Sequence, residues 1–152
     1  MRFQLPFLLL LSVLFASCGR GVRRGSLFAQ RPRLVSILVE VYDPNTNLVW
    51  DGISVRIVES YQEWSGCTCA NPYTEWFLTN QDGRVLLDEY DLADAQVGFQ
   101  QDYNGAAVLG PGYGEDEATV LLEVDAIGFA PVYVEVPLSW DDPDVFVEVP
   151  FY

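Results

Sequence analysis

Three side-chain classes in this 152-residue chain could do chemistry: three cysteines, 22 carboxylates and a dense set of aromatics. Cys67 and Cys69 are separated by one residue, Thr68. Dithiol redox catalysis ordinarily uses two intervening residues, and a soft tetrahedral metal site would need further sulfur or nitrogen ligands. The chain contains no histidine, so Ser-His and Cys-His nucleophile systems are excluded. All eight basic residues are arginine, which removes Schiff-base chemistry. A carboxylate pair could hydrolyse a glycosidic bond, but only at a fixed separation across a cleft, and no spacing here establishes one. No catalytic residue is therefore assigned. Calcium prefers several oxygen ligands, and its candidates are Glu115, Asp116 and Glu117 in one cluster with Asp141, Asp142 and Asp144 in another. Asp82 sits in Asn80-Gln81-Asp82-Gly83, a segment explained by a tight turn.

The aromatics gather in two places. Tyr61, Trp64, Tyr73 and Trp76 surround the Cys67/Cys69 pair, while Phe99, Tyr103 and Tyr113 occupy a later glycine-rich stretch. On a sheet edge such rings can stack on sugars or anchor a protein partner; the competing role is to cap an open end of the core.

The residues before position 34 address the chain rather than fold it. An apolar run from Leu5 to Phe15 follows Arg2 and is far short of the roughly 20 residues that span a bilayer. It closes on Leu14-Phe15-Ala16-Ser17-Cys18, which resembles a bacterial lipoprotein signal peptide (1–17). The resemblance implies that Cys18 is lipidated and becomes the first residue of the mature chain. It also implies a cell-envelope location, with the outer membrane favoured in a two-membrane cell because Gly19 replaces the Asp of an inner-membrane retention signal. Lipidation of Cys18 leaves Cys67 and Cys69 as an even pair in an oxidising compartment. A local disulfide is expected, strained by its single intervening residue, with pairing between molecules as the competitor.

Residues 18–33 form a tether rich in Arg and Gly. Beyond Leu34 lie two arginines, Arg56 and Arg84, and all 22 acidic residues, a net of −20. Such a surface repels phosphates, so nucleic acid is excluded as a partner. Half the residues are hydrophobic, too many for a disordered chain.

From Leu34 to Tyr152 the dominant period is two. Val35, Ile37, Val39 and Val41 alternate with more exposed types, and so do Ile53, Val55 and Ile57. The same holds for Val120, Leu122 and Val124, for Val132, Val134 and Val136, and for Val145, Val147 and Val149. Glu75 to Thr79 and Arg84 to Asp88 read as strands joined by a hairpin turn at Asn80–Gly83. The only helical stretch is Asp91 to Gln96. The pattern predicts an all-β sandwich of about seven antiparallel strands.

The motif order resembles the carboxypeptidase regulatory-like family. The matching residues are Val39-x-Val41-Tyr42-Asp43, Gly52-Ile53-x-Val55, Thr79-Asn80-Gln81-Asp82-Gly83-Arg84 and Val124-x-Ala126-x-Gly128-Phe129 with Val132 to Leu138. The resemblance implies a transthyretin-like (prealbumin-like) Greek-key β-sandwich over 34–152, used without catalysis for display, adhesion, polysaccharide contact or folding support. Two segments depart from it: Tyr61–Trp76, and the insertion Tyr90–Glu117, which is either a functional loop or a mobile excursion with an added edge strand. The resulting expectation is a lipid-anchored, non-enzymatic envelope module that recognises a protein or glycan through these segments. A calcium-binding module and a carboxylate-based glycan hydrolase are the alternatives.

Overall fold

The computed structural model describes residues 31–62, 67–73, 75–95, 97–110 and 116–152. The expected signal peptide, Cys18 and most of the expected tether lie outside them, as do Trp64, Tyr113 and Glu115 and the side chain of Cys67. In chain order the elements are β1 (Arg33–Leu34), β2 (Ser36–Asp43), β3 (Leu48–Val49), β4 (Ser54–Gln62), β5 (Cys67–Ala70), β6 (Phe77–Leu78) and β7 (Arg84–Leu87). After them come α1 (Glu89–Asp94), β8 (Gln100–Gln101), β9 (Ala107–Leu109), β10 (Glu117–Asp125), β11 (Val132–Ser139) and β12 (Asp144–Pro150).

The protein is an all-β sandwich. One sheet runs β11-β10-β4-β5, with β6 also on β4; the other runs β12-β2-β3, with β7 also on β2. Their inner faces are the alternating apolar residues of the sequence. Val35, Ile37, Val39 and Val41 are fully buried on β2 and just before it, opposed by Val120, Leu122 and Val124 of β10 and Val55 of β4. Strand-periodic sequences with one apolar face have to bury that face against another sheet, and here two such faces meet. Trp50, Phe129 and Phe151 close one end of the core through edge-on and tilted ring contacts at 5.2–5.8 Å.

Pairing is antiparallel with one exception. The last strand, β12, runs parallel to β2, in register from Asp144–Ser36 to Pro150–Tyr42. The 140–143 connection leaves β11 in one sheet and delivers β12 to the other, so β12 arrives beside β2 heading the same way. The Asn80–Gly83 turn also links the two sheets. It closes tightly, Gly83 N–H donating to Asn80 O at 2.8 Å and Asn80 N–H to Arg84 O at 2.8 Å. Its flanking strands nevertheless diverge, β6 to β4 and β7 to β2, so the expected hairpin is a turn between layers.

The described part of the insertion is packed against the core rather than a mobile excursion. α1 starts at a reciprocal capping box, in which Asp88 accepts from Asp91 N and the Asp91 side chain accepts from Asp88 N. Leu92, Val97, Phe99, Ala107 and Leu109 join the core, and β8, β9 and β1 form a third, three-stranded sheet. The segment is an excursion with added strands, and it extends the core at the end where the chain enters the domain.

Candidate binding face

The outward face of the β11-β10-β4-β5 sheet owes its composition to one irregularity in β4. Leu121 pairs with Glu59 but Leu122 pairs with Ile57, which leaves Val58 as an extra residue, a β-bulge. Before the bulge Ile53, Val55 and Ile57 face inward; after it the phase inverts and Ser60 is the buried residue. Ser60 is fully buried and its hydroxyl donates to the Val97 carbonyl. Without the bulge, strict alternation would send Glu59 and Tyr61 into the core. Asn71 secures the irregular stretch, its backbone N–H donating to Val58 O and its side-chain amide to Ile57 O, both at 2.7 Å.

Tyr61 therefore stands outside, and the two other described aromatics of the first group, Tyr73 and Trp76, are exposed as well. Tyr61 is 46 % exposed, Tyr73 51 % and Trp76 38 %. Trp76 lies against the Arg56 guanidinium, which sits 4.8 Å from the ring centroid, a cation–π contact. Arg56 in turn donates through Nε (2.7 Å) and Nη2 (2.5 Å) to the same oxygen, Oε2, of Glu123. Tyr133, cross-strand from Glu123 and well exposed, extends the row to β11. Arg56, Glu123 and Tyr133 were not expected as site residues. Each is the outward residue between apolar neighbours, which the alternation does reveal, but only the register of β4, β10 and β11 aligns them.

The second group divides. Phe99 is 9 % exposed and belongs to the core, which removes it from any ligand surface: the insertion has to bury its own apolar residues, and Phe99 is the largest of them. Tyr103 is almost fully exposed, at the β8–β9 turn of the small sheet and in a different layer from β4 and β5. Between the β5–β6 connection and α1 lies a small cavity lined by residues including Tyr73, Glu75 and Asp91. Burial pushes the Asp91 carboxyl above the ordinary carboxylate range, and the charges of Asp88 and Glu75 add to this against the lowering bond from the Asp88 backbone. Asp91 is occupied in capping α1.

The acidic clusters meet in part. Glu117 is the register partner of Ser139, Trp140 N–H donates to Asp116 O at 2.8 Å, and Glu117 and Asp142 line a cavity of about 330 Å³ with Tyr61, Ala118, Pro137, Leu138 and Ser139. Asp144 turns to the other sheet and accepts from Ser36 Oγ at 2.8 Å. Asp141 contributes its backbone carbonyl to Arg33 at 3.0 Å. Among the described residues no group of three or more His, Cys, Asp or Glu side chains comes together to hold a metal ion. Cys69 pairs in register with Ser60, and the backbone of Cys67 with that of Gln62.

Compared with known proteins, the chain matches no family model, no curated protein and no solved structure.

Proposed function

We propose that this chain is a lipid-anchored, non-catalytic recognition module of the cell envelope, built on the carboxypeptidase regulatory-like plan. The observation that carries the reading is the exposure of Tyr61, Tyr73 and Trp76 beside one another in sequence on or next to a single sheet. Tyr61 and Tyr73 are more exposed than the core-closing rings Phe151, which is fully buried, and Phe129, which is 40 % exposed. Large apolar rings held in water have unspent binding free energy, which a partner recovers by covering them. The lipobox-like run ending at Cys18 supplies the membrane attachment, and acidic residues over the domain disfavour polyanionic partners. The transthyretin-like assignment draws support from the two-sheet arrangement with connections that cross between layers, and from the ordered motifs, which fall on β2, β4, the 79–84 turn and β10–β11.

The recognition reading is tested by glycan-array and envelope pull-down experiments on the wild type and a Trp64→Ala/Trp76→Ala double variant. Signal in the wild type that is lost in the variant is the expected result; equal signal from both would take these residues out of the site. Attachment is tested separately by metabolic acyl labelling, which Cys18→Ser is expected to abolish.

A further inference from the structure

Resting on the recognition reading above, we infer that the row Tyr133–Glu123–Arg56–Trp76 is a saccharide-binding platform for an uncharged polysaccharide chain lying across the strands. Tyr133 pairs with Glu123 and Glu123 with Arg56, and the Arg56 guanidinium lies over Trp76. The row thus crosses β11, β10 and β4 to the residue preceding β6. At about 4.8 Å per strand it spans roughly 14 Å, the length of a short run of sugar rings.

Its polar centre is incomplete within the protein. Glu123 is 7 % exposed although it points to the outer side of the sheet, and both bonds from Arg56 converge on Oε2. Among the described contacts Oε1 of Glu123 accepts nothing and Nη1 of Arg56 donates to nothing. The Glu123 side chain is nine-tenths buried, and a largely buried carboxylate with one oxygen lacking a donor is costly to leave unsatisfied. Oε1 asks for a donor, and Nη1, on the other edge of the guanidinium, asks for an acceptor. The hydroxyls of a sugar chain supply both. On either side of this centre stand exposed rings, Trp76 and Tyr133, whose faces suit the C–H faces of a pyranose. An open sheet face crossed by a row of side chains suits an extended chain better than a compact protein knob, which is held by a pocket at the centre of an interface. The net charge of −20 beyond residue 34 selects against uronate- or phosphate-bearing polymers, leaving neutral and N-acetylated hexose chains.

The test uses the mature chain and isothermal titration with tetrasaccharides of glucose, mannose and N-acetylglucosamine. At least one is expected to bind, with affinity lowered tenfold or more by Tyr133→Ala and by Glu123→Gln, and unchanged by Phe146→Ala on the outer face of the opposite sheet. Tyr133 is exposed, so its variant keeps the fold; identical thermal melts confirm this before titration. Tetrasaccharide binding that ignores Tyr133→Ala and Glu123→Gln overturns the row while leaving a recognition module. Failure of every tetrasaccharide, with a protein captured from envelope extract in a Trp76-dependent way, overturns the saccharide class and keeps the recognition reading. Silence in both experiments overturns both.

Discussion

At the scale of single residues, the positions under most constraint are set by backbone and burial. Gly83 has φ +70° at the inter-sheet turn, and a Cβ placed there would come within 2.6 Å of Val49 Cβ and 2.9 Å of Val41 O. Neither neighbour is a flexible side-chain tip, so Gly83→Ala has to shift strands β2 and β3 apart. The expected cost is about 2–3 kcal/mol, measured as a lower urea midpoint with an unchanged slope. Asp91 gives a prediction of opposite sign. Its folded-state pKa is raised, chiefly by burial, so the folded protein holds that proton more tightly than the unfolded chain. Stability from this group is therefore greatest below the ordinary value of 3.8 and is lost as pH rises through the raised value. An asparagine stays neutral and still accepts from Asp88 N–H through its carbonyl oxygen. Asp91→Asn should raise the melting temperature at neutral pH by about 1–3 °C, the difference closing as the pH is lowered past the ordinary carboxylate value. A variant less stable than wild type at neutral pH would show that charge at the α1 N-terminus outweighs burial.

At the scale of elements, the alternation of apolar residues was legible and its interruptions were not. β2, β10, β11 and β12 fall where period two places them, because each has one face in the core and the pattern is a direct record of that face. The bulge at Val58 left no trace in the alternation of Ile53, Val55 and Ile57, since it is defined by a pairing partner some 60 residues away. The candidate face suffered the same way: Tyr61 and Trp76 were visible as residues, but the row through Arg56, Glu123 and Tyr133 exists only once β4, β10 and β11 are set side by side. The Asn80–Gly83 turn was legible as a turn, while the divergence of its strands depends on which sheet recruits each one. The bulge itself can be tested by deletion. Removing Val58 restores strict alternation, and the strand must then either point Glu59 and Tyr61 inward or slip against β10. Both outcomes bury a carboxylate or expose the apolar face, so the deletion is expected to abolish the cooperative thermal transition seen by circular dichroism. A melt within a few degrees of wild type would mean that β5 and Asn71, rather than the extra residue, set the phase of β4.

At the scale of the whole molecule, charge and shape are unequally distributed. The chain enters beside the acidic turn after β11, where Trp140 Nε1 donates to Arg31 O at 3.1 Å and Arg33 reaches Asp141 O. The Trp50–Phe129–Phe151 cluster closes the opposite end, because β2 and β12 run parallel from Ser36 and Asp144 at the entry side to Tyr42 and Pro150 beside it. Beyond residue 34, the two arginines are engaged, Arg56 with Glu123 and Arg84 with Glu40, and they are far outnumbered by 22 acidic residues. Repulsion among them opposes the compact state more than the unfolded one, since folding brings them closer. Raising ionic strength from about 0.01 M to about 0.15 M shortens the screening length from roughly 30 Å to roughly 8 Å, less than the distance across the domain. Two part-exposed ion pairs lose little by this, and the remaining carboxylates gain. The melting temperature should therefore rise with sodium chloride over that range, by several degrees. Calcium and magnesium at equal concentration should act alike if screening is the whole effect; a shift larger with calcium and saturating with its concentration would instead reveal a specific calcium site. A fall in stability with salt would show that Arg56–Glu123 and Arg84–Glu40 outweigh the repulsion.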